Sequence, residues 1–178
     1  VTNAITPGAL SGKLALVPDI TSGGMTSNAN VSFVATGGIP SGGEMQLNFT
    51  DHDWSMPSAP TVTLHTVHGS SICSAVWQPA THSLVVTTSS EIAEGSAAAF
   101  EVSNVLTPSY ARAQSTVAMG TRDANNFRID GPTNGLTSAI TPGTIFNATW
   151  DSAIDTPSMT SVTTLSFSTS GAIRAGSS

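Results

Sequence analysis

The chain is poor in charge. Lys, Arg, Asp and Glu make up 9% of its 178 residues, against a usual quarter of a soluble domain. Only five residues are Lys or Arg and the formal net charge is −6, so the clustered cations that bind nucleic-acid phosphates are missing. About three residues in ten are instead Ser or Thr, a bias typical of extracellular, often glycosylated proteins. The composition therefore argues against a nucleic-acid partner and favours an extracellular location.

Cysteine, long apolar runs and helical patterns are also scarce. Cys73 is the single cysteine, so an intramolecular disulfide is excluded, and we expect a small buried side chain there. No apolar run reaches the 18 or so residues of a membrane span. No stretch carries a helical stripe of useful length. We expect neither a membrane span nor a helical fold.

Motifs of catalysis and metal binding are missing as well. The sequence has no nucleophile elbow, His-Glu-x-x-His, phosphate loop or Cys/His ligand spacing. A pair of carboxylates for glycoside hydrolysis stays open, although no neighbouring aromatic residue singles out any of the eleven acidic residues. We predict that the protein is not an enzyme and has no catalytic residue, cofactor or metal ligand set.

What the chain does contain is a long internal repeat. VTNAITPG at residues 1–8 returns as LTSAITPG at 136–143, an offset of 135. Met-Thr-Ser at 25–27 returns at 159–161, an offset of 134, so one residue has been dropped between them. A period this long makes one repeat a whole domain. We expect a complete domain over 1–135 and the first strands of a second repeat over 136–178.

The second copy stops where the first continues into an alternating stretch at residues 44–50. A partial domain of about 43 residues cannot bury a core alone. Two explanations stay open: the sequence is cut from a longer tandem protein, or a neighbouring molecule completes the tail. Both predict an assembly.

Most stretches of the first repeat alternate with a period of two, which is typical of half-buried strands. Met45, Leu47 and Phe49 share one face of a predicted strand, and Trp77 alternates with Cys73 as a core residue. Short strands separated by turns are characteristic of an antiparallel sandwich. We predict an all-β, immunoglobulin-like fold with nine strands, at 13–17, 30–36, 44–50, 61–67, 73–77, 83–88, 98–105, 114–121 and 126–130.

Three motifs resemble a domain that recurs in very large surface proteins of protists and algae. They are NVSF at 30–33, a Gly-Ile-Pro-Ser-Gly-Gly turn at 38–43 followed by an alternating strand, and the stretch from Ile92 to Pro108. The similarity covers about residues 30 to 130 and departs at Arg174, where the second copy loses the turn proline. The resemblance implies an immunoglobulin-like tandem array at the cell surface and nothing catalytic.

The tail supplies the predicted contacts between subunits. Unpaired strands between Leu136 and Gly176 must be covered, because open edges invite further pairing. Strand addition to a neighbour or continuation into a covalent repeat would cover them. The residues expected to pack at this subunit interface are Ile140, Pro142, Ile145, Phe146, Leu165 and Phe167.

Three asparagines and one tryptophan are predicted to be sites of glycosylation and of surface contact. Asn30, Asn48 and Asn147 begin Asn-x-Ser/Thr sequons, and alternation places Asn30 and Asn48 on outward faces. About three sequons are also expected by chance in this composition, so they permit glycans and do not require them. Trp54 follows an acidic loop and is expected to be a surface contact.

Two loops are rich in the oxygen-bearing residues that metal ions bind. The cluster from Asp51 to Trp54 is expected to be a solvated loop, because adjacent residues cannot converge on one ion. A calcium ion near Asp123 and Asp130 that stiffens the domain junction is a hypothesis.

Taken together, these features predict a structural subunit of an extracellular filament or surface glycoprotein, with copies of itself as partners. A carbohydrate-binding or adhesive module and a viral or phage capsid or fibre protein are the alternatives.

Overall fold

Nine strands of the chain close into a single barrel, and two more form a separate hairpin. The computed structural model describes residues 6–173, and within them there is no helix. The strands are β1 (Ser11–Pro18), β2 (Thr26–Val34), β3 (Glu44–Phe49), β4 (Val62–Thr66), β5 (Gly69–Gln78), β6 (Ser83–Thr87), β7 (Ala97–Leu106), β8 (Thr116–Arg122), β9 (Arg128–Thr137), β10 (Ile145–Ser152) and β11 (Thr163–Thr169).

The all-β class is confirmed, and each of the nine predicted strands overlaps an observed one. Inward positions also follow the predicted alternation, since Met45, Leu47 and Phe49 of β3 are all buried. Trp77 and Cys73 of β5 lie in the same core. The period-two pattern therefore identified the buried face of these strands correctly.

The immunoglobulin-like sandwich, however, is not what the strands build. Their order around the sheet is β1-β2-β7-β4-β5-β6-β3-β8-β9, and the sheet closes on itself. Eight of the neighbouring pairs are antiparallel, and the parallel pair β1–β9 joins the two ends through Ala15–Leu136 and Leu16–Thr137. Register shifts in β1–β2, β2–β7 and β8–β9 allow the sheet to bend. Closure pairs the edges that a sandwich would leave open.

The inside of the barrel is filled by buried apolar side chains from β1 to β8, and Ile129 of β9 packs against them while partly exposed. Phe33 and Phe100 stack with their ring centroids 5.7 Å apart, and Phe49 lies edge-on to Trp77 at 5.6 Å. Asp130 of β9 is also fully buried. Its carboxylate accepts hydrogen bonds from the backbone N–H groups of Thr36 and Gly37.

Gly8 makes a close approach to this buried carboxylate. A Cβ atom at Gly8 would collide with Asp130 Oδ1. The backbone N–H of Gly8 donates to Ile129 at 2.8 Å, and its carbonyl accepts from Gly131 at 2.9 Å. The segment before β1 is thereby fixed beside β9.

Candidate assembly surface

A short linker leads out of the barrel after β9. Ile140 in this linker is buried and exchanges two backbone hydrogen bonds of 2.9 Å with Arg112. Further backbone bonds join Thr141 to Thr21 at 2.9 Å and Ala172 to Gly23 at 3.2 Å. The base of the β10–β11 hairpin is therefore attached to one end of the barrel.

Arg112, whose backbone holds Ile140 of the linker, also belongs to a cluster of polar side chains. Arg112 Nη1 lies 2.7 Å from Asp51 Oδ1 and 2.9 Å from Asp53 Oδ2, and its guanidinium carbon is 5.3 Å from the centre of the Tyr110 ring. Asp51 is buried, so the cation of Arg112 offsets a carboxylate charge that would otherwise be costly to bury. Arg112 thus holds the linker through its backbone and two carboxylates through its side chain.

Tyr110 completes this cluster. Its hydroxyl donates a hydrogen bond of 2.6 Å to Asp53 Oδ2. This bond raises the pKa of Tyr110, because the carboxylate stabilises the protonated hydroxyl, and desolvation acts in the same direction. Tyr110, Pro142 of the linker and Ile145 at the start of β10 also line a cleft of about 270 Å³ between barrel and hairpin.

The β10–β11 hairpin repeats the pairing of β1 with β2. In the barrel, Leu16 pairs with Val31 and Ala15 with Ser32. In the hairpin, Trp150 pairs with Leu165 and Thr149 with Ser166. Every one of these partners lies 134 residues after its counterpart. Both ladders also have a register irregularity on the same side of these pairs, but the two irregularities differ in size.

The two hairpins differ in burial. At four corresponding apolar positions, the first hairpin and the turn after it are between 0% and 2% exposed, and the second between 45% and 73%. The pairs are Leu16 with Trp150, Val31 with Leu165, Phe33 with Phe167, and Ile39 with Ile173. The hairpin thus presents to solvent an apolar face of the kind that β1 and β2 turn toward a core. We call the four exposed members of these pairs the apolar face.

The close approach beside Gly8 also has a counterpart. A Cβ atom at Gly8 would meet Thr36 Cβ at 3.1 Å, and one at Gly143 would meet Ser170 Oγ at 3.4 Å and the Gly171 nitrogen at 2.9 Å. Gly143 and Ser170 are the repeat equivalents of Gly8 and Thr36. The segment before β10 and the turn after β11 therefore meet as they do in the barrel.

The structure distributes the predicted interface residues over two places. Ile140 is 3% exposed and already packs against the barrel of its own chain. Pro142 lies exposed in the linker. The remaining four, Ile145, Phe146, Leu165 and Phe167, are exposed on the hairpin. Whether they contact another molecule stays a prediction.

The expectation that Trp54 is a surface contact is wrong. Its side chain is 1% exposed and packs 6.4 Å from Phe49 in the core. The loop from Asp51 to Trp54 is likewise not simply solvated, because Asp51 is buried against Arg112. The carbohydrate-binding alternative loses the residue on which it rested. A local sequence pattern could not show that this loop folds over the end of the barrel.

The acidic residues of the calcium hypothesis do not share a site. Asp130 accepts from Thr36 and Gly37, as described above, and Asp123 Oδ1 accepts from the N–H groups of Asn125 and Phe127 at 2.9 and 2.8 Å. Both carboxylates thus face hydrogen-bond donors. Within residues 6–173 no group of three or more His, Cys, Asp or Glu side chains is arranged to hold a metal ion. Calcium binding near Asp123 and Asp130 stays a hypothesis.

The three sequon asparagines occupy accessible or half-accessible positions. Asn30 and Asn147 are exposed, and Asn48 is half-buried with its side-chain oxygen 3.2 Å from Gln46 Nε2. The outward orientation expected for Asn30 agrees with this placement. Glycosylation itself stays a prediction at all three.

Sequence reasoning did not place Ile173 among the interface residues. The signal was present in the repeat, since an offset of 134 aligns Ile173 with Ile39, a core residue. The cluster of Arg112, Asp51 and Tyr110 was also missed. Its members are up to 61 residues apart, and no local pattern connects them.

Comparisons with known proteins find only distant structural similarity. No family model and no curated protein matches the chain. The major pilin subunit BcpA of Bacillus cereus aligns with a TM-score of 0.38 at 9% identity, over 78% of this chain and 40% of that one. A chain named BspA_C_WT aligns with a TM-score of 0.31 at 10% identity, over 68% and 44%.

AvmM, which catalyses macrocyclisation in alchivemycin A biosynthesis, aligns with a TM-score of 0.26 at 12% identity, over 73% of this chain and 82% of that one. The present chain spans less than half the length of the first two structures. All three TM-scores are too low to support an argument about function. Among residues 6–173, no helix has the length and apolar character needed to cross a membrane.

Proposed function

We propose that this chain is a structural subunit of an extracellular filament or surface array of β barrels, coupled end to end by the β10–β11 hairpin. The carrying observation is the apolar face, whose four side chains are exposed although their repeat equivalents are buried. The work of such a subunit is mechanical. The proposal assigns no catalytic role to any residue.

Two energetically unfavourable features of the hairpin support a coupling role. An exposed apolar patch on a soluble chain is normally a contact surface, because water disfavours it. The outer edges of β10 and β11 also carry backbone groups that no neighbouring strand of the described chain pairs, and such edges recruit further strands. A hairpin with both features is stabilised by contact with another folded unit.

The location and modification of the subunit are part of the same proposal. The high Ser and Thr content and the low charge favour an extracellular protein, and the resemblance to tandem surface domains points the same way. Exposed Asn30 and Asn147 would accept glycans at positions away from the barrel core. Mass spectrometry of the native protein that finds all three sequons unmodified would remove the glycan part.

Electron microscopy of the native material tests the proposal. We expect filaments or ordered arrays of barrels, and isolated compact particles would contradict it. A chain that ends at Pro142 keeps β9 and the buried Ile140 but lacks the hairpin, and we expect it to lose assembly. If it still forms fibres, the hairpin is not the connector.

A substitution pair separates the apolar face from general hydrophobicity. Leu165→Asp with Phe167→Asp places charge on the apolar face, and we expect assembly to be lost while the barrel stays folded. Val67→Asp is the matched control, because Val67 is 74% exposed on the turn between β4 and β5. If Val67→Asp abolished assembly to the same extent, the apolar face would have no specific role in assembly.

A further inference from the structure

The two free edges of the hairpin differ in the strand direction that they require. In the barrel, the edge of β1 away from β2 receives β9 in parallel orientation, and the edge of β2 away from β1 receives β7 in antiparallel orientation. Within the described chain, β10 and β11 pair only with each other. Because the hairpin keeps the register of β1–β2, β10 lacks a parallel partner and β11 lacks an antiparallel one.

Among residues 6–173, the turn after β11 also has no equivalent of a backbone contact that its counterpart in the barrel makes. In the barrel, Ile39 after β2 exchanges two backbone hydrogen bonds of 2.9 Å with Ile92, which lies before β7. Its equivalent, Ile173, is 61% exposed. The missing elements are thus equivalents of β9, of β7 and of the segment that leads into β7.

We propose that β10 and β11 are the first hairpin of a second barrel, and that they are covered by one polypeptide segment that folds as seven strands equivalent to β3–β9 and is joined to the hairpin in cis. The inference rests on the proposed function, since it names the partner of the coupling hairpin. The completed unit is a nine-stranded barrel that shares the linker around Ile140 with the first.

A single added strand does not satisfy the hairpin. It would pair one edge and leave the other open, and it would not cover the apolar face. Covering that face requires a core that lies across the whole hairpin, as the first barrel provides for β1 and β2. Strands from one closed sheet supply both edges and the core together.

Exchange with a second copy of this chain is also disfavoured. To accept β10 and β11, the second barrel would have to release its own β1 and β2 and expose the buried Leu16, Val31 and Phe33. The exchange buries no additional apolar surface. Linking in cis avoids this competition and gives the joined strands a high effective concentration.

The core of the second barrel must also differ from that of the first. Trp150 occupies the position of Leu16, which is fully buried, and a side chain of that size would overpack the first core. The neighbouring inward position changes in the opposite direction, from Leu14 to Ala148. This compensation is expected of a hairpin adapted to a related interior and not to an identical one.

An extended chain tests the proposal. Residues 45–137 of the same sequence are fused after Ser178, which lies 134 residues after Glu44 and so occupies its position in the repeat. Because the probe carries the first core, Ala148→Leu and Trp150→Leu are introduced together to restore the side chains of β1. We expect two barrels, with amide exchange in β10 and β11 slowed roughly a thousandfold relative to the 178-residue chain, since an isolated hairpin is marginal and a closed barrel is not.

The extended chain with native Ala148 and Trp150 is the second variant. If it also folds, the emission of Trp150 should shift to shorter wavelength, and a Trp150→Phe variant identifies its contribution beside the buried Trp54 and Trp77. An appended segment that stays protease-sensitive in both variants, with fast exchange in β10 and β11, would overturn the proposal. So would slow exchange in the 178-residue chain accompanied by a dimer in sedimentation, because the hairpins would then cover each other.

These outcomes are separate from the test of the proposed function. The extended chain is studied as a single molecule, so it can close a second barrel even if the native material forms no filament. In that case the filament proposal fails and the inference about the hairpin stands. The converse result, filaments without closure of the second barrel, overturns only the inference.

Discussion

The β1–β2 and β10–β11 hairpins show what neighbours contribute to a strand pair. From the Ala15–Ser32 pair to the end of β1, the first has the same register as the second at an offset of 134 residues, and apolar residues stand at corresponding positions. In the first, β7 and β9 flank the hairpin and its apolar residues are buried; in the second, the same positions face solvent. The alternation of residues decides which face of a hairpin is apolar, and the surrounding sheet decides whether that face is buried.

The strongest test of this comparison truncates equivalent phenylalanines. Phe33→Ala should lower the free energy of unfolding by about 3–5 kcal/mol, because it leaves a cavity beside Phe100. Phe167→Ala should cost less than about 0.5 kcal/mol, because the ring is 45% exposed. Urea denaturation of the 178-residue chain measures both. A large loss for Phe167 would show that the hairpin is packed in solution.

The next largest effect concerns the attachment of the hairpin linker to the barrel through Arg112. Arg112→Met leaves the buried Asp51 carboxylate without its cation, and we expect a loss of roughly 1–3 kcal/mol, less than for a fully buried pair because Arg112 is partly exposed. Adding Asp51→Asn should recover part of it by removing the unpaired charge. Arg128→Ala, at an exposed position on β9, is the control. An unchanged midpoint of denaturation for Arg112→Met would contradict the anchoring role.

A buried carboxylate provides a third comparison. Asp130→Ala removes the acceptor for the N–H groups of Thr36 and Gly37, which should cost roughly 1–3 kcal/mol in thermal or denaturant unfolding. Asp151→Ala, on the exposed hairpin, should change stability by less than about 0.5 kcal/mol. If both changes were equally mild, water would have to reach the Asp130 site.

The smallest effect is the titration of Tyr110, the single tyrosine. Its hydrogen bond to Asp53 raises the pKa of the hydroxyl above the ordinary value of 10.0. The folded state favours the protonated form, so this stabilisation is complete below pH 10 and is lost as the pH rises through the folded pKa. Tyrosinate absorbance should show a midpoint that falls in Asp53→Asn. A midpoint unaffected by that change would mean that the bond does not persist in solution.

Much of the fold could be predicted because a period of two is a local property. Alternation in β3 identified Met45, Leu47 and Phe49 as inward, and the turn residues separated the strands. The architecture could not be predicted in the same way. Which strands meet at the ends of a sheet depends on pairs such as Leu16 with Thr137, more than a hundred residues apart, and a closed barrel and a sandwich share one local pattern.

Only some residues of the candidate surface could likewise be predicted from the sequence. Phe167 and Leu165 could be anticipated, because they are apolar residues in a partial repeat. Trp54 was misplaced, because its burial depends on Phe49 and the fold of the loop over the barrel end. Arg112 was missed, because the Asp51 carboxylate that it neutralises approaches only in the folded chain.

By itself the sequence determined the strand type, the inward faces and the repeat offset, since each follows from spacing along one chain. Only the tertiary structure decided that β9 closes the barrel against β1 and that the face around Trp150 stays open. The physical reason is that a side chain is buried by residues distant in sequence. Their positions are set by the sheet as a whole and not by the pattern of any one strand.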